Sequence, residues 1–254
     1  MTPSGSMSAG AVAVIADVHG NCDALQAVLA DIDGRRIASI LNLGDHLSGP
    51  LAAARTADIL MTREMICIRG NHDRNLLEQM PDDMGASDRV AFDELAPAHL
   101  EWLRKMPQTR VVDDIFMCHG TPEDDLTYWL EEVGPGGAVS MRDRDAIEGF
   151  AAGIAQSLIL CAHTHTARMV RLRDGRLIVN PGSVGLPAYD DDLPVPHVVA
   201  SGAPEARYAI VERKLTGWDV TFRAIPYDTA AMAACARSHG RTEWACAVET
   251  GWLR

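Results

Sequence analysis

The sequence predicts one α/β domain in which two sheets face each other and helices cover their outer surfaces. Three observations predict it. Short apolar, β-branched runs alternate with helical periodicity over residues 11–68, the βαβαβ rhythm of a parallel sheet. From residue 158 onward that rhythm gives way to strand pairs joined by tight turns. No internal repeat and no linker interrupts the chain, so residues 1–254 are read as a single domain.

Each element follows from local pattern. Ala11–Ala16 is short and apolar, a buried strand. Leu25, Val28, Leu29 and Ile32 recur at helical spacing over 22–32, and Asn21 can cap that helix. Ile37–Leu43 is the next strand, 51–63 an Ala-rich helix, and Met65–Ile68 the third strand. Crossovers between such parallel strands are right-handed. Residues 75–106 are helical, with Pro81 and Pro97 as breaks. Val111–Cys118 is a strand whose Asp113-Asp114 suits a hairpin turn. An insert over about 121–156, polar and partly Gly-rich, is helical in two pieces and arches over the sheet edge. Leu158–Cys161 is a strand, and Met169–Leu172 and Arg176–Val179 flank the turn Arg173-Asp174-Gly175. Residues 186–206 are a long Pro-rich loop, open to being a lid, a dimer contact or a plain loop. Tyr208–Arg213 and Trp218–Ala224 form a second hairpin, and an Ala-rich helix over 229–238 follows.

Composition narrows the function. Hydrophobic residues make up 47% of the chain, enough for a substantial core, which excludes a disordered protein. A net charge of -12 with no basic stripe excludes a nucleic-acid polymer as partner. A small phosphorylated substrate stays compatible, because metal ions can supply the local positive charge. Cys22, Cys67, Cys118, Cys161, Cys235 and Cys246 show no C-x-x-C spacing, as expected of buried thiols in a reducing compartment. Met1–Ser6 has no basic leader character, and no stretch of about 18 apolar residues occurs. The expectation is a cytoplasmic protein without membrane contact, with homo-oligomerisation left open.

Chemistry concentrates where apolar runs end. Asp17 and His19, Asp45, Asn71, His119, and His163 and His165 each stand at or just past the end of such a run. Strands of one sheet deliver their ends to a common edge, so these side chains can converge. Asp17 and His19, two apart on an extended segment, can point the same way. A carboxylate such as Asp45 has two oxygens and can bridge two cations. Asn71 offers a carbonyl oxygen, and the histidines offer neutral imidazoles. Mixed oxygen and nitrogen donors suit Mn, Fe, Zn or Ni rather than Mg or Ca. Singly, each residue reads more plainly: a strand-end Asp as a turn or helix cap, a His as a satisfied surface or core group. Their joint, regular order favours a site for two divalent metal ions.

The order Asp17-Val18-His19, Gly44-Asp45, Gly70-Asn71-His72-Asp73, His119, and His163-Thr164-His165 resembles the calcineurin-like metallophosphoesterase superfamily. With Asn180-Pro181-Gly182-Ser183-Val184-Gly185 the resemblance covers about two-thirds of the chain. It implies a four-layer α/β/β/α sandwich with a dinuclear site at the sheet edges. It implies Asp17, His19, Asp45 and His165 on one metal, and Asp45, Asn71, His119 and His163 on the other, with Mn favoured. It further implies hydrolysis of a small phosphodiester or phosphomonoester by a metal-bridging hydroxide, with His72 unligated and acting as general acid. Asp73 is expected either to orient His72 or to cap the next helix. Asn180 and Ser183 are expected to brace the His163-Thr164-His165 loop.

Departures refine the resemblance. Protein phosphatases of the superfamily carry G-D-x-V-D-R-G, whereas this chain has Gly44-Asp45-His46-Leu47-Ser48-Gly49-Pro50. The missing Arg and second Asp point instead to the YfcE-like bacterial phosphodiesterase branch. Arg74 is the candidate replacement for the Arg, against a solvated surface reading. Ala162 replaces the first Gly of G-H-x-H. A phosphoprotein phosphatase is the alternative enzyme reading. A non-catalytic interaction scaffold is the alternative outside enzymes; it is disfavoured because the full donor set and His72 are present.

Overall fold

The pattern of apolar residues builds two sheets, seen in the computed structural model over residues 10–253. Met1–Ser6, read above for leader character, lies outside the described residues. Strand β1 (Val12–Ile15) leads to helix α1 (Cys22–Gly34), where the Asn21 side chain accepts the Ala24 N–H at 3.1 Å as an N-cap. Then come β2 (Ser39–Asn42), α2 (Ala53–Met61) and β3 (Ile66–Cys67). Helix α3 (Asn71–Glu78), a 3-10 turn (Pro81–Asp83), α4 (Ala86–Glu94) and α5 (Pro97–Arg104) follow. Hairpin β4 (Arg110–Val112) and β5 (Ile115–Met117) turns at Asp113-Asp114, as the sequence predicts. Next are β6 (Glu131–Val133), β7 (Val139–Met141), α6 (Arg144–Phe150), β8 (Leu158–Leu160), β9 (Arg168–Arg171) and β10 (Leu177–Asn180). The remaining elements are β11 (Ala188–Asp191), β12 (His197–Ala200), β13 (Ala206–Lys214), β14 (Gly217–Ile225), α7 (Ala230–Ser238) and α8 (Thr242–Thr250).

The first sheet has the order β14-β13-β1-β2-β3 and the second β4-β5-β8-β10-β9. Strands β1, β2 and β3 run parallel, as do β5, β8 and β10, while β13, β14, β4 and β9 pair antiparallel. Alternation along each strand then sets the layers. Val12, Val14 and Leu41 of the first sheet meet Ile115, Leu158, Leu177 and Val179 of the second in one core. Ala13 and Ile15 point the other way, onto Leu25, Val28 and Ile32 of α1. On the far side, Ile159 and Ile178 pack against Trp129 and against Ile147 of α6. The result is helix, sheet, sheet, helix, the predicted four-layer order. Each buried Leu or Ile contributes roughly 1.5–3 kcal/mol relative to exposure.

Three expectations change. Helix α3 starts at Asn71, not at residue 75, because Asp73 at its third position accepts the Gly70 N–H at 3.0 Å and caps the first turn. The breaks predicted at Pro81 and Pro97 are present, and Pro97 begins α5, since its missing N–H is unneeded there. The insert over 121–156 contains one helix and the β6–β7 hairpin, not two helices. The Pro-rich loop expected over 186–206 is largely a hairpin, with Ala188 opposite Ala200 and Asp191 opposite His197. Prolines in its turn mask the alternation of buried His197 and Val199 with exposed Val198 and Ala200. Helix α8 also follows α7, beyond the element predicted over 229–238. Among the described residues no helix is long and apolar enough to cross a membrane.

Candidate metal centre

Loops after β1, β2, β3, β5 and β8 meet at one edge of the two sheets. Backbone hydrogen bonds lock the first two together: Asp17 N–H donates to Gly44 O and His19 N–H to Asp45 O, both at 3.0 Å. The backbone there is left-handed at non-glycine residues, with φ of 54° at Asp17, 49° at His19, 55° at Asp45, 70° at His163 and 54° at His165. That conformation costs about 1–2 kcal/mol per residue, and such strain clusters at functional sites. Crowding is equally tight at Gly70, where an added Cβ would stand 2.3 Å from Asp45 Oδ1 and 2.7 Å from His119 Cε1.

The side chains gather in two adjoining sets. One donor atom from each of Asp17, His19 and His165 lies within 4.8 Å of the other two, and Asp45, His119 and His163 form a second such set. His119 Nε2 lies 3.1 Å from Asn71 Oδ1 and 3.1 Å from Asp45 Oδ2. Asp45 Oδ2 is also 3.9 Å from His19 Nε2, so this carboxylate stands between the sets. Each of the four imidazoles has one ring nitrogen on a backbone carbonyl. The pairs are His19 with Ser48 O at 2.9 Å, His119 with Leu43 O at 2.8 Å, His163 with Leu126 O at 2.9 Å and His165 with Leu186 O at 2.7 Å. Donation to those carbonyls fixes the tautomer and leaves the other nitrogen with a free lone pair.

Electrostatics fit a pair of cations. Both Asp17 carboxylate oxygens are buried without a hydrogen-bond partner among the described residues. Burial pushes that carboxyl up to about 8, against the pull of His119. Burial also holds His19 down at about 4 and His163 at about 3, so both rings are neutral donors. At His119 burial pushes down, but the Asp45 carboxylate more than reverses it, to about 10. A cation would displace that proton, and it would relieve the cost of an unpaired buried carboxylate. The residues therefore fit two divalent metal ions.

The Asn180 amide donates to Ala162 O at 2.9 Å and Thr164 Oγ1 at 3.0 Å, bracing the loop that carries His163 and His165. Ser183 braces a different loop, donating to Asp17 O at 2.8 Å. His72 lies at the head of α3, its N–H donating to Asp45 Oδ1 at 2.9 Å. Asp73 is fully buried. Its carboxylate accepts from the backbone of Asp45 and His46 at 2.9 and 3.0 Å, and pairs with His46 Nδ1 at 2.7 Å. The orienting role considered for Asp73 falls instead to Asp88 on α4, whose Oδ1 lies 2.8 Å from His72 Nδ1. Ser48 Oγ donates to the same oxygen, and Asn75 Nδ2 donates to Asp88 Oδ2 at 3.3 Å. Ser48 stands where the G-D-x-V-D-R-G pattern has its second Asp, so a carboxylate missing from that loop is supplied from another helix. Arg74, its side chain 26% exposed, forms a two-pronged pair with Asp125 at 2.8 and 2.9 Å.

A cleft of about 380 Å³ opens over both donor sets. Beyond them its walls include Tyr189 of β11 and Arg241, Glu243 and Trp244 at the start of α8. Tyr189 packs against His165 with the rings tilted by 57° and their centroids 4.6 Å apart, and Trp244 meets His19 edge-on at 5.9 Å. Sequence reasoning missed Asp88, Tyr189 and Trp244. Asp88 and Trp244 sit on helices with no motif, and the only signal for Tyr189 was the masked alternation of its hairpin.

Residues 11–199 match the model of the calcineurin-like phosphoesterase superfamily domain. An uncharacterised protein of Methanocaldococcus jannaschii is 23% identical over 198 residues, covering 69% of this chain and 76% of that protein. The crystal structure of a metallophosphoesterase from Sphaerobacter thermophilus superposes with a TM-score of 0.72 at 24% identity, covering 96% of this chain and 99% of that one. That of a hypothetical protein from Pyrococcus horikoshii OT3 gives 0.74 at 19% identity, with 96% and 99% covered. At these identities the structures show a shared fold.

Proposed function

Given that the chain belongs to the calcineurin-like phosphoesterase superfamily and is a phosphoesterase hydrolase, we propose that it hydrolyses a small phosphodiester or phosphomonoester at a dinuclear metal site. The proposed holders are Asp17, His19, Asp45 and His165 on one side and Asp45, Asn71, His119 and His163 on the other, with Asp45 shared. Bound there, two divalent cations would neutralise charge on the phosphoryl oxygens and acidify water. Manganese is the metal of choice for assay, while Fe, Zn and Ni suit the same donors.

The protein's own groups do the rest. Water oxygen bonds to phosphorus, the ester P–O bond breaks, and the leaving oxygen takes a proton. His72 is the proposed donor of that proton. Burial pushes its imidazole down, but the Asp45 and Asp88 carboxylates more than reverse this, to about 9 in the metal-free protein. Asp88 holds Nδ1, leaving Nε2 for the leaving group.

One observation carries this reading: the Asp17 carboxylate, buried without a hydrogen bond beside imidazoles whose far nitrogens are all tied to carbonyls. The test is a screen of the purified protein with Mn, Ni, Zn and Fe against bis-nitrophenyl phosphate and nitrophenyl phosphate. Metal-dependent turnover is expected. Inertness with all four metals on both esters overturns the proposal.

A further inference from the structure

A second cavity, of about 480 Å³, opens off the cleft, and Leu126, His163, Asp191 and Leu193 line both. His163 belongs to a donor set, so the side pocket begins at the metal centre itself. Tyr128, Val133 of β6 and Pro194 form its walls. Leu126 is 58% exposed and Leu193 75%, which leaves apolar surface facing water where the two cavities join. Such surface marks a place where something apolar docks.

The charges around both cavities point the same way. In the side pocket the Arg142 guanidinium donates to Tyr128 O at 3.2 and 3.0 Å and lies over the Phe150 ring. The other charged groups there, Glu132 and Asp191, are carboxylates. In the cleft, Arg241 is paired with Glu243 at 2.5 Å and donates to Ser87 Oγ at 2.6 Å, while Asp190 and Asp191 add negative charge. Among the described residues, then, neither cavity offers an arginine or lysine without a partner.

We propose that the substrate is a phosphodiester with a single phosphate, whose second ester arm is apolar and uncharged and lies in the pocket bounded by Leu126, Tyr128, Val133 and Pro194. The proposal rests on the phosphoesterase reading above and narrows it. A monoester leaves the side pocket empty. An arm with a carboxylate or a further phosphate meets two carboxylates, Glu132 and Asp191, against the single guanidinium of Arg142, which is turned onto Tyr128 O and the Phe150 ring. In the reaction, water adds to phosphorus, the bond to the first alcohol breaks, and the second arm departs on the phosphomonoester product.

The test keeps the leaving group constant and varies the arm. With the manganese-loaded protein, phenyl 4-nitrophenyl phosphate is expected to exceed methyl 4-nitrophenyl phosphate in kcat/KM by about tenfold, from apolar burial of the ring. A 4-carboxyphenyl arm is expected to lose that gain. Val133→Trp fills the pocket and is expected to bring the phenyl-to-methyl ratio near one. If that variant does not fold, Thr127→Trp carries the same expectation. Calorimetry with methyl(phenyl)phosphinate and dimethylphosphinate, monoanions that have no ester bond to hydrolyse, is expected to show the same preference in binding. Equal kcat/KM for all three arms on an active enzyme overturns this inference and leaves the phosphoesterase reading intact. Failure to hydrolyse any ester defeats the earlier reading instead, and the calorimetric preference then still decides whether the pocket takes an apolar arm.

Discussion

His72 meets two carboxylates that come from different elements: Asp45 after β2 accepts its backbone N–H, and Asp88 on α4 lies on its ring Nδ1. A general acid matters most when the leaving group is a poor one. His72→Ala is therefore expected to retain metal but lose on the order of 10² in kcat on alkyl esters, with a smaller loss on nitrophenyl esters. Equal losses on both, measured in parallel assays, contradict the acid role. Asp88→Asn keeps the shape but weakens the hold on Nδ1. It is expected to lower kcat on alkyl esters by about tenfold, with metal content unchanged, and to shift the alkyl-to-nitrophenyl ratio in the same direction as His72→Ala. At this scale the donor candidates were legible because each stands at or just past a strand end in a fixed order. Asp88 was not, because the partner of an imidazole is set by helix packing and leaves no local pattern.

Elements carry the strained loops only if the scaffold is held firmly. Asp31 on α1 accepts from Arg35 at 2.8 Å, from the Tyr208 hydroxyl of β13 at 2.5 Å and from Arg223 of β14 at 3.2 Å, clipping the helix to the sheet edge. Burial pushes this carboxyl up, but those hydrogen bonds outweigh it and hold it at about 2. Its folded pKa is depressed, so the stabilisation is present above the unfolded value near 3.8 and is lost as pH falls through the folded value near 2. Thermal unfolding between pH 5 and pH 2 is expected to show the wild type losing more stability than Asp31→Asn. Parallel losses in the two proteins contradict the clip. Legibility also varies among elements. The βαβαβ half and the hairpins with clear turns read directly, because apolar periodicity reports burial on one face. The hairpin β11–β12 and helix α8 did not: prolines hid the first, and the second is short and packs mainly on α7, Leu51 and Leu186, contacts that sequence spacing does not reveal.

The whole molecule brings two sheets together so that their loops share one polar edge, where the Asp17 carboxylate is buried without a hydrogen bond. A ligand that binds the folded state alone stabilises it by about 2.7 kcal/mol at a hundredfold excess over its dissociation constant. Removing metal with a chelator is thus expected to lower the unfolding midpoint by several degrees, and adding manganese back to restore it; an unchanged midpoint contradicts metal binding in the folded state. The four-layer architecture was legible at this scale because two kinds of strand pattern, parallel and paired, must be buried together. The shape of the cleft was not, since its walls come from the insert, the β11–β12 hairpin and α8, the three regions with the weakest sequence pattern. The most direct test of the dinuclear centre is anomalous diffraction from crystals of the manganese-loaded protein. Two peaks roughly 3.5–4 Å apart, flanked by Asp17, Asp45, Asn71 and the four imidazoles, are expected. No peak among those residues, or a single one away from Asp45, would contradict the account.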